Sequence, residues 1–165
     1  MVARRPLVVG VDGSPASARA LRWAWGEARR RGAPVHVLMV WHSHAVLAGP
    51  LLMHPELAPH HVREQRWREL TDLVRDCVGG ESGPEVHVEL VDGDAAEVLA
   101  DRSADAALLV LGDRGSGRVA DAVLGSTALR CIHRARCPVV VVPPGVRPDQ
   151  GGVEPGAASR DPVLG

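Results

Sequence analysis

Three stretches of the chain run apolar without alternation: Pro6–Val11, Ala106–Leu111 and Val139–Val142. Unbroken runs of this kind mark strands covered on both faces of a parallel sheet. Val35–Trp41 supplies another strand. Glu85–Val91 behaves differently, with Val86, Val88 and Leu90 separated by His87 and Glu89. That period of two predicts a half-exposed strand at a sheet edge. Helical spacing fills the gaps. Ser14-Pro15 joins an N-cap to a proline in the first turn, and Leu21, Ala24, Trp25 and Ala28 share one face of a helix ending near Arg31, before Gly32. A second helix is expected over Val62–Val78, buried through Trp67, Leu70, Leu73 and Val74 and stopped by Gly79-Gly80. A short one follows over Asp94–Ser103 with Val98 and Leu99 inward, and a last one over Ser126–Ala135.

The alternation of five strands with four helices predicts an α/β fold, an open five-stranded parallel sheet with helices on both faces. Ligands of such sheets sit beyond the carboxyl ends of the strands, where the strand order reverses. Two loops compete for that place: Asp12-Gly13-Ser14 after the first strand, and the stretch from Gly112 to Gly125 after the fourth. They open on one crevice only if strands one and four are neighbours.

Two segments stand outside this pattern. His42–His61 holds three prolines, five histidines and Leu51-Leu52-Met53, and a connection this long is expected to be a lid or a disordered insert. Its histidines (His42, His44, His54, His60, His61) fit no standard metal spacing. Residues 144–165 are rich in Gly, Pro and Asp, which predicts a disordered tail behind a domain spanning 1–143.

Composition narrows the chemistry. A chain of 165 residues suits one domain. A formal charge of −1 gives no field to draw in nucleic acid or a membrane surface. All 19 basic residues are arginine; without lysine a Walker-type phosphate loop is excluded. Cys77, Cys131 and Cys137 form neither a disulfide framework nor a zinc pattern, which suits a reducing interior. The apolar start at Pro6–Val11 is too short for a signal peptide, and no segment reaches the length of a membrane span. The expected location is cytoplasmic.

The remaining signal is Gly112-Asp113-Arg114-Gly115-Ser116-Gly117-Arg118, running on to Gly125-Ser126-Thr127. Glycine permits a positive-φ turn and leaves no Cβ between its N–H and a bound group. A helix starting at Ser126 aims unpaired N–H groups and a positive dipole end at the same space. Together they describe a cradle for an anion, most simply phosphate; the plainer alternative is a flexible surface loop.

With both loops in view the chain resembles a universal stress protein. The family pattern of Gly, two residues, Gly, nine residues, Gly, then Ser or Thr stands complete as Gly112, Gly115, Gly125 and Ser126. The opening Val9-Gly10-Val11-Asp12-Gly13-Ser14 and the closing Cys137–Pro143 match as well. The resemblance covers about residues 5 to 143. It implies a Rossmann-like sheet of order 3-2-1-4-5, a homodimer, and binding of ATP, with ADP or AMP as alternatives. By the same resemblance Asp12, with Gly13 and Ser14, lies by the ribose or a nucleotide-bound Mg²⁺. The backbone of Val40 meets the adenine, and Gly112, Arg114, Gly115, Gly125, Ser126 and Thr127 hold the phosphates.

Asp113 departs from the pattern, which more often carries a small hydroxyl residue there. Arg114 and Arg118 are the candidates to offset its charge. Neither loop offers an evident base for phosphoryl transfer. The leading expectation is therefore a non-catalytic, nucleotide-responsive stress protein; a slow Mg-dependent ATPase and a dimeric interaction module without useful ATP affinity stay open. Val139–Val142, as the last strand, presents a bare apolar edge that invites an isologous partner.

Overall fold

A computed structural model describes residues 4–42, 59–80, 82–115 and 124–146. The expected lid core (43–58), the loop residues 116–123 and the tail from 147 lie outside the described residues.

Five parallel strands form one sheet: β1 (Leu7–Val11), β2 (Val35–Trp41), β3 (Val86–Asp92), β4 (Leu108–Gly112) and β5 (Val139–Val142). Their order is β3-β2-β1-β4-β5. Chain direction reverses its progress across the sheet between β1 and β4, which pair in register at Leu7–Leu108 and Val9–Val110. This is the adjacency that opens both loops on one crevice.

The unbroken apolar runs are explained by two cores, one on each face. Leu7, Val9, Val35, Val37, Met39, Leu108 and Val110 point to one side, against α1 (Pro15–Arg31) and α2 (Pro59–Val78). Val8, Leu38, Leu109 and Leu111 point to the other, against α3 (Ala95–Arg102) and α4 (Ser126–Arg134). In β3 only Leu90 is buried, as befits an edge strand.

Local signals set the helix ends. Ser14 Oγ accepts from the Ser17 N–H at 3.2 Å, Pro15 occupies the first turn, and Gly32 closes α1 in the left-handed region at φ 60°. Asp94 caps α3 by accepting from the Glu97 N–H at 3.0 Å.

Four expectations need correction. α2 begins at Pro59, not Val62. Its Trp67 is 42% exposed: Arg63–Arg68 are all exposed, and full burial on this helix is reached at Leu70. On α3 the inward set is Ala96, Leu99 and Ala100, with Val98 only half-buried. Ala106 is buried but precedes β4, after a 3₁₀ turn over Ser103–Asp105.

Candidate functional site

The crevice forms where β1 and β4 end. After β1, Gly13 takes a positive φ of 83°, and the Ser14 N–H donates to Asp12 Oδ1 at 3.0 Å. This tight turn presents Asp12 at the carboxyl edge of the sheet and launches α1. After β4 the chain enters the glycine loop. A Cβ built on Gly115 would lie 3.0 Å from Asp12 Oδ2. The two loops thus touch, and glycine at 115 is what lets them.

The motif glycines divide by task. None of Gly112, Gly115 and Gly125 has a positive φ, so the expected left-handed turn is not their reason at these positions. Gly112 pairs with Val142 of β5 while its α-carbon is pressed on the start of α1, where a Cβ would meet the Ala16 carbonyl carbon at 2.7 Å. Gly125 donates its N–H to the Asp113 carbonyl at 2.8 Å, which ties the far end of the loop back to its beginning. That amide is occupied within the protein. The next donors are the ones without a partner among the described residues: Gly125 is the N-cap of α4, no described side chain caps the helix, and its first turn holds no acidic residue. The Leu129 N–H is the first to close on Gly125, at 3.0 Å. The amides of Ser126, Thr127 and Ala128 therefore form the uncapped start of the helix. Thr127 is half-buried and Ser126 exposed.

Asp113 is the surprise. The residue is buried, at 7% exposure, and does not stand open beside the anion site. Arg19, from the second turn of α1, donates through Nη2 to Asp113 Oδ1 at 2.9 Å. Arg114 Nε lies 3.7 Å from the other oxygen. The residue that offsets Asp113 most directly is therefore Arg19, which sequence inspection overlooked. The signal was available: with β1 beside β4, an arginine one turn into α1 faces a loop that starts with an aspartate. Arg118 lies outside the described residues.

Val40 stands in β2, one residue past the last β1–β2 pair, Val11–Met39, and opposite Val91 of β3. Its backbone thus lies beside the end of β1, on the flank of the Asp12 turn. Trp41 packs against the α1-side core, and its carbonyl accepts from the Gly93 N–H at 2.9 Å. The structure brings Asp12, Gly115, Gly125 and the start of α4 together; Val40 borders them across β1.

Other polar features lie elsewhere. His60 and His61 are adjacent rings on α2, and among the described residues no three metal-binding side chains cluster. Cys131 is fully buried on the inner face of α4, and burial pushes its thiol up to about 11, far from a reactive thiolate. Surface grooves at Glu97, Asp101, Arg134 and Arg136, and at Arg4, Arg29 and Glu85, are remote from the strand ends that shape the crevice. No helix among the described residues is long and apolar enough to cross a membrane.

An open parallel sheet, a switch point between β1 and β4, and an uncapped helix start behind a glycine loop define a doubly wound domain with an anion cradle. The model of the universal stress protein family matches residues 3–143, and the chain belongs to that family. A universal stress protein of Mycolicibacterium smegmatis is 33% identical over 165 residues, covering 96% of this chain and 52% of the relative. The chain thus spans about half the length of the curated relatives it matches. Among solved structures, universal stress protein UspA from Lactobacillus plantarum superposes with a TM-score of 0.65 at 25% identity, over 85% of this chain and 99% of that one. A universal stress protein in complex with cAMP gives 0.59 at 19% identity, covering 85% and 97%. The Archaeoglobus fulgidus protein in complex with dAMP gives 0.54 at 24%, covering 86% and 98%. The last two establish likeness of fold.

Proposed function

We propose that this chain is a stress-response protein that binds an adenine nucleotide in the β1–β4 crevice and responds to it without cleaving it. The ligand is ATP, with ADP or AMP as the alternatives. The observation that carries this reading is the uncapped start of α4, set behind Gly115 and facing the Asp12 turn. An N-terminus of this kind favours an anion by up to about 2 kcal/mol. Two or three main-chain bonds to charged oxygens add about 1.5–3 kcal/mol each. With adenine burial the sum reaches the roughly −8 kcal/mol of micromolar binding, without any lysine. The complexes of family members with cAMP and dAMP support the choice of an adenine nucleotide.

Asp12 sets a hard carboxylate beside the cradle, and Mg²⁺ takes one or two carboxylates together with phosphates and water. Asp12 would hold such an ion through the nucleotide. Asp113, the other carboxylate near the loop, is engaged by Arg19, which supports holding over hydrolysis. β5 is an edge strand whose Val139, Val140 and Val141 are only partly covered, and Leu129 and Ile132 of the neighbouring α4 are 50% and 46% exposed. These surfaces favour a homodimer through Val139–Val142, in a reducing cytoplasm.

Mass spectrometry of the nucleotide that copurifies with the protein tests the reading, followed by calorimetry with Mg-ATP. No copurifying nucleotide and no heat at millimolar Mg-ATP refute it. Phosphate release that vanishes in Asp12→Ala would replace holding by slow hydrolysis. A monomer by light scattering at tens of micromolar would remove the dimer.

A further inference from the structure

The aspartate in the glycine loop puts a negative charge where the proposed ligand brings more. Its neighbours decide whether that charge counts. We propose that Arg19 is the positioning residue of this site: it holds the Asp113 carboxylate against α1, cancels its charge, and leaves Arg114 to meet the phosphates. This rests on the nucleotide reading given above.

Three observations carry the inference. First, the two guanidinium groups are not equivalent. Arg19 makes a hydrogen-bonded ion pair with Oδ1 at 2.9 Å, whereas Arg114 reaches Oδ2 only at 3.7 Å and through Nε. The Arg114 side chain is 54% exposed, against 10% for that of Asp113. Its terminal nitrogens are not spent on Asp113. Second, Asp113 is tied twice. Its side chain is bound to α1, and its carbonyl receives the N–H of Gly125, the N-cap of α4. One residue thereby links the first helix, the loop and the helix start that forms the cradle. Third, Arg19 stands on a rigid base, because α1 is locked to the end of β4 by the close approach of Gly112 to Ala16. Arg19 Nε is buried and makes no hydrogen bond among the described residues, so Asp113 is the group that aligns this side chain. Counting formal charges of these three groups alone, Arg19 and Arg114 against Asp113 sum to +1; without Arg19 they sum to 0, and Arg114 is drawn back onto the carboxylate.

The consequence is a dependence on phosphate charge that passes through a residue distant from the ligand. At an effective dielectric near 20, uncovering one unit charge about 7–12 Å from a phosphate weakens binding by roughly tenfold to fiftyfold. The test is calorimetry on the full chain with adenosine, AMP, ATP and inorganic tripolyphosphate. It compares the unaltered protein with Arg19→Gln, Arg19→Lys, Asp113→Asn and the double variant Arg19→Gln/Asp113→Asn, each checked for folding by thermal melting. Arg19→Gln is expected to weaken ATP and tripolyphosphate by that factor, AMP by less, and adenosine not at all. Arg19→Lys is expected to retain most of the affinity. The double variant, lacking both charges, is expected to recover to within about threefold of the unaltered protein. Asp113→Asn alone is expected to bind tripolyphosphate at least as tightly, which keeps the test open if Arg19→Gln fails to fold.

The proposal is overturned if Arg19→Gln binds ATP like the unaltered protein, if the double variant is no better than the single one, if adenosine is lost in parallel, or if Asp113→Asn weakens tripolyphosphate. A protein that binds tripolyphosphate but no nucleotide sinks the nucleotide reading alone, and the tripolyphosphate series then decides this one. A protein that binds neither overturns both.

Discussion

The division of labour among the motif glycines can be tested by two alanine substitutions with opposite expected signatures. At Gly112 an added Cβ would stand 2.7 Å from the carbonyl carbon of Ala16, 2.8 Å from its oxygen and 2.9 Å from its Cβ. Two of those atoms are helix backbone, which has no rotamer to escape into. Either α1 or the end of β4 must shift, and both sit in the central core. Overpacking of this kind costs about 1–3 kcal/mol. For a chain of this size each kcal/mol lowers the melting temperature by about 2–4 °C, so Gly112→Ala should melt roughly 2–12 °C lower. At Gly115 the nearest atom is a single carboxylate oxygen of Asp12, at 3.0 Å, and the backbone has no positive φ to lose. Gly115→Ala should fold and melt within about 2 °C of the unaltered protein, yet push Asp12 and the loop apart and weaken nucleotide binding roughly tenfold, about 1.4 kcal/mol. Urea unfolding and calorimetry with Mg-ATP read the two quantities separately. If Gly112→Ala keeps full stability and loses only ligand, or if Gly115→Ala loses stability and keeps its ligand, the steric reasoning is wrong.

Ser14→Ala removes the oxygen that accepts the Ser17 N–H and should cost about 1 kcal/mol in urea unfolding. Leu70→Ala, at a fully buried position, should cost about 2–5 kcal/mol, whereas Trp67→Ala, despite the larger side chain, should cost well under half of that; equal losses would place the α2 contact wrongly. His36 meets His87 edge-on across β2 and β3 at 4.8 Å; burial first, then His87 and Arg102, hold its pKa below the ordinary 6.5, against the opposing pull of Glu89 and Glu85. The unfolded chain then binds the extra proton, so this contribution is present above pH 6.5 and lost as pH falls below it. Urea midpoints measured from pH 7.5 to 5 should fall for the unaltered protein and flatten in His36→Gln.

Much of the architecture was legible because its causes are local or periodic. A strand buried on both faces has no polar position to spare, so Leu7–Val11 and Leu108–Gly112 declare themselves. Ser14-Pro15 and Gly32 announce α1 because the caps are short-range hydrogen bonds and a single dihedral preference. The limits of that reasoning show at Trp67, whose spacing matches a buried stripe. Helical period says which face a residue takes and nothing about whether another element extends far enough to cover it. They show again at α2, whose first turn lies among histidines and prolines that carry no apolar period.

The sequence by itself determined the class of sheet, its helix boundaries to within a few residues, and the presence of a glycine loop leading into a helix start. Only the tertiary structure decided what each glycine is for and what becomes of Asp113. The reason is distance along the chain: 94 residues separate Arg19 from Asp113. Gly112 is small because of Ala16, and Gly115 because of Asp12. Patterns within a window report on hydrogen bonds and faces inside that window. Charge neutralisation and close approach depend on which strands become neighbours, and that is settled when β4 docks beside β1.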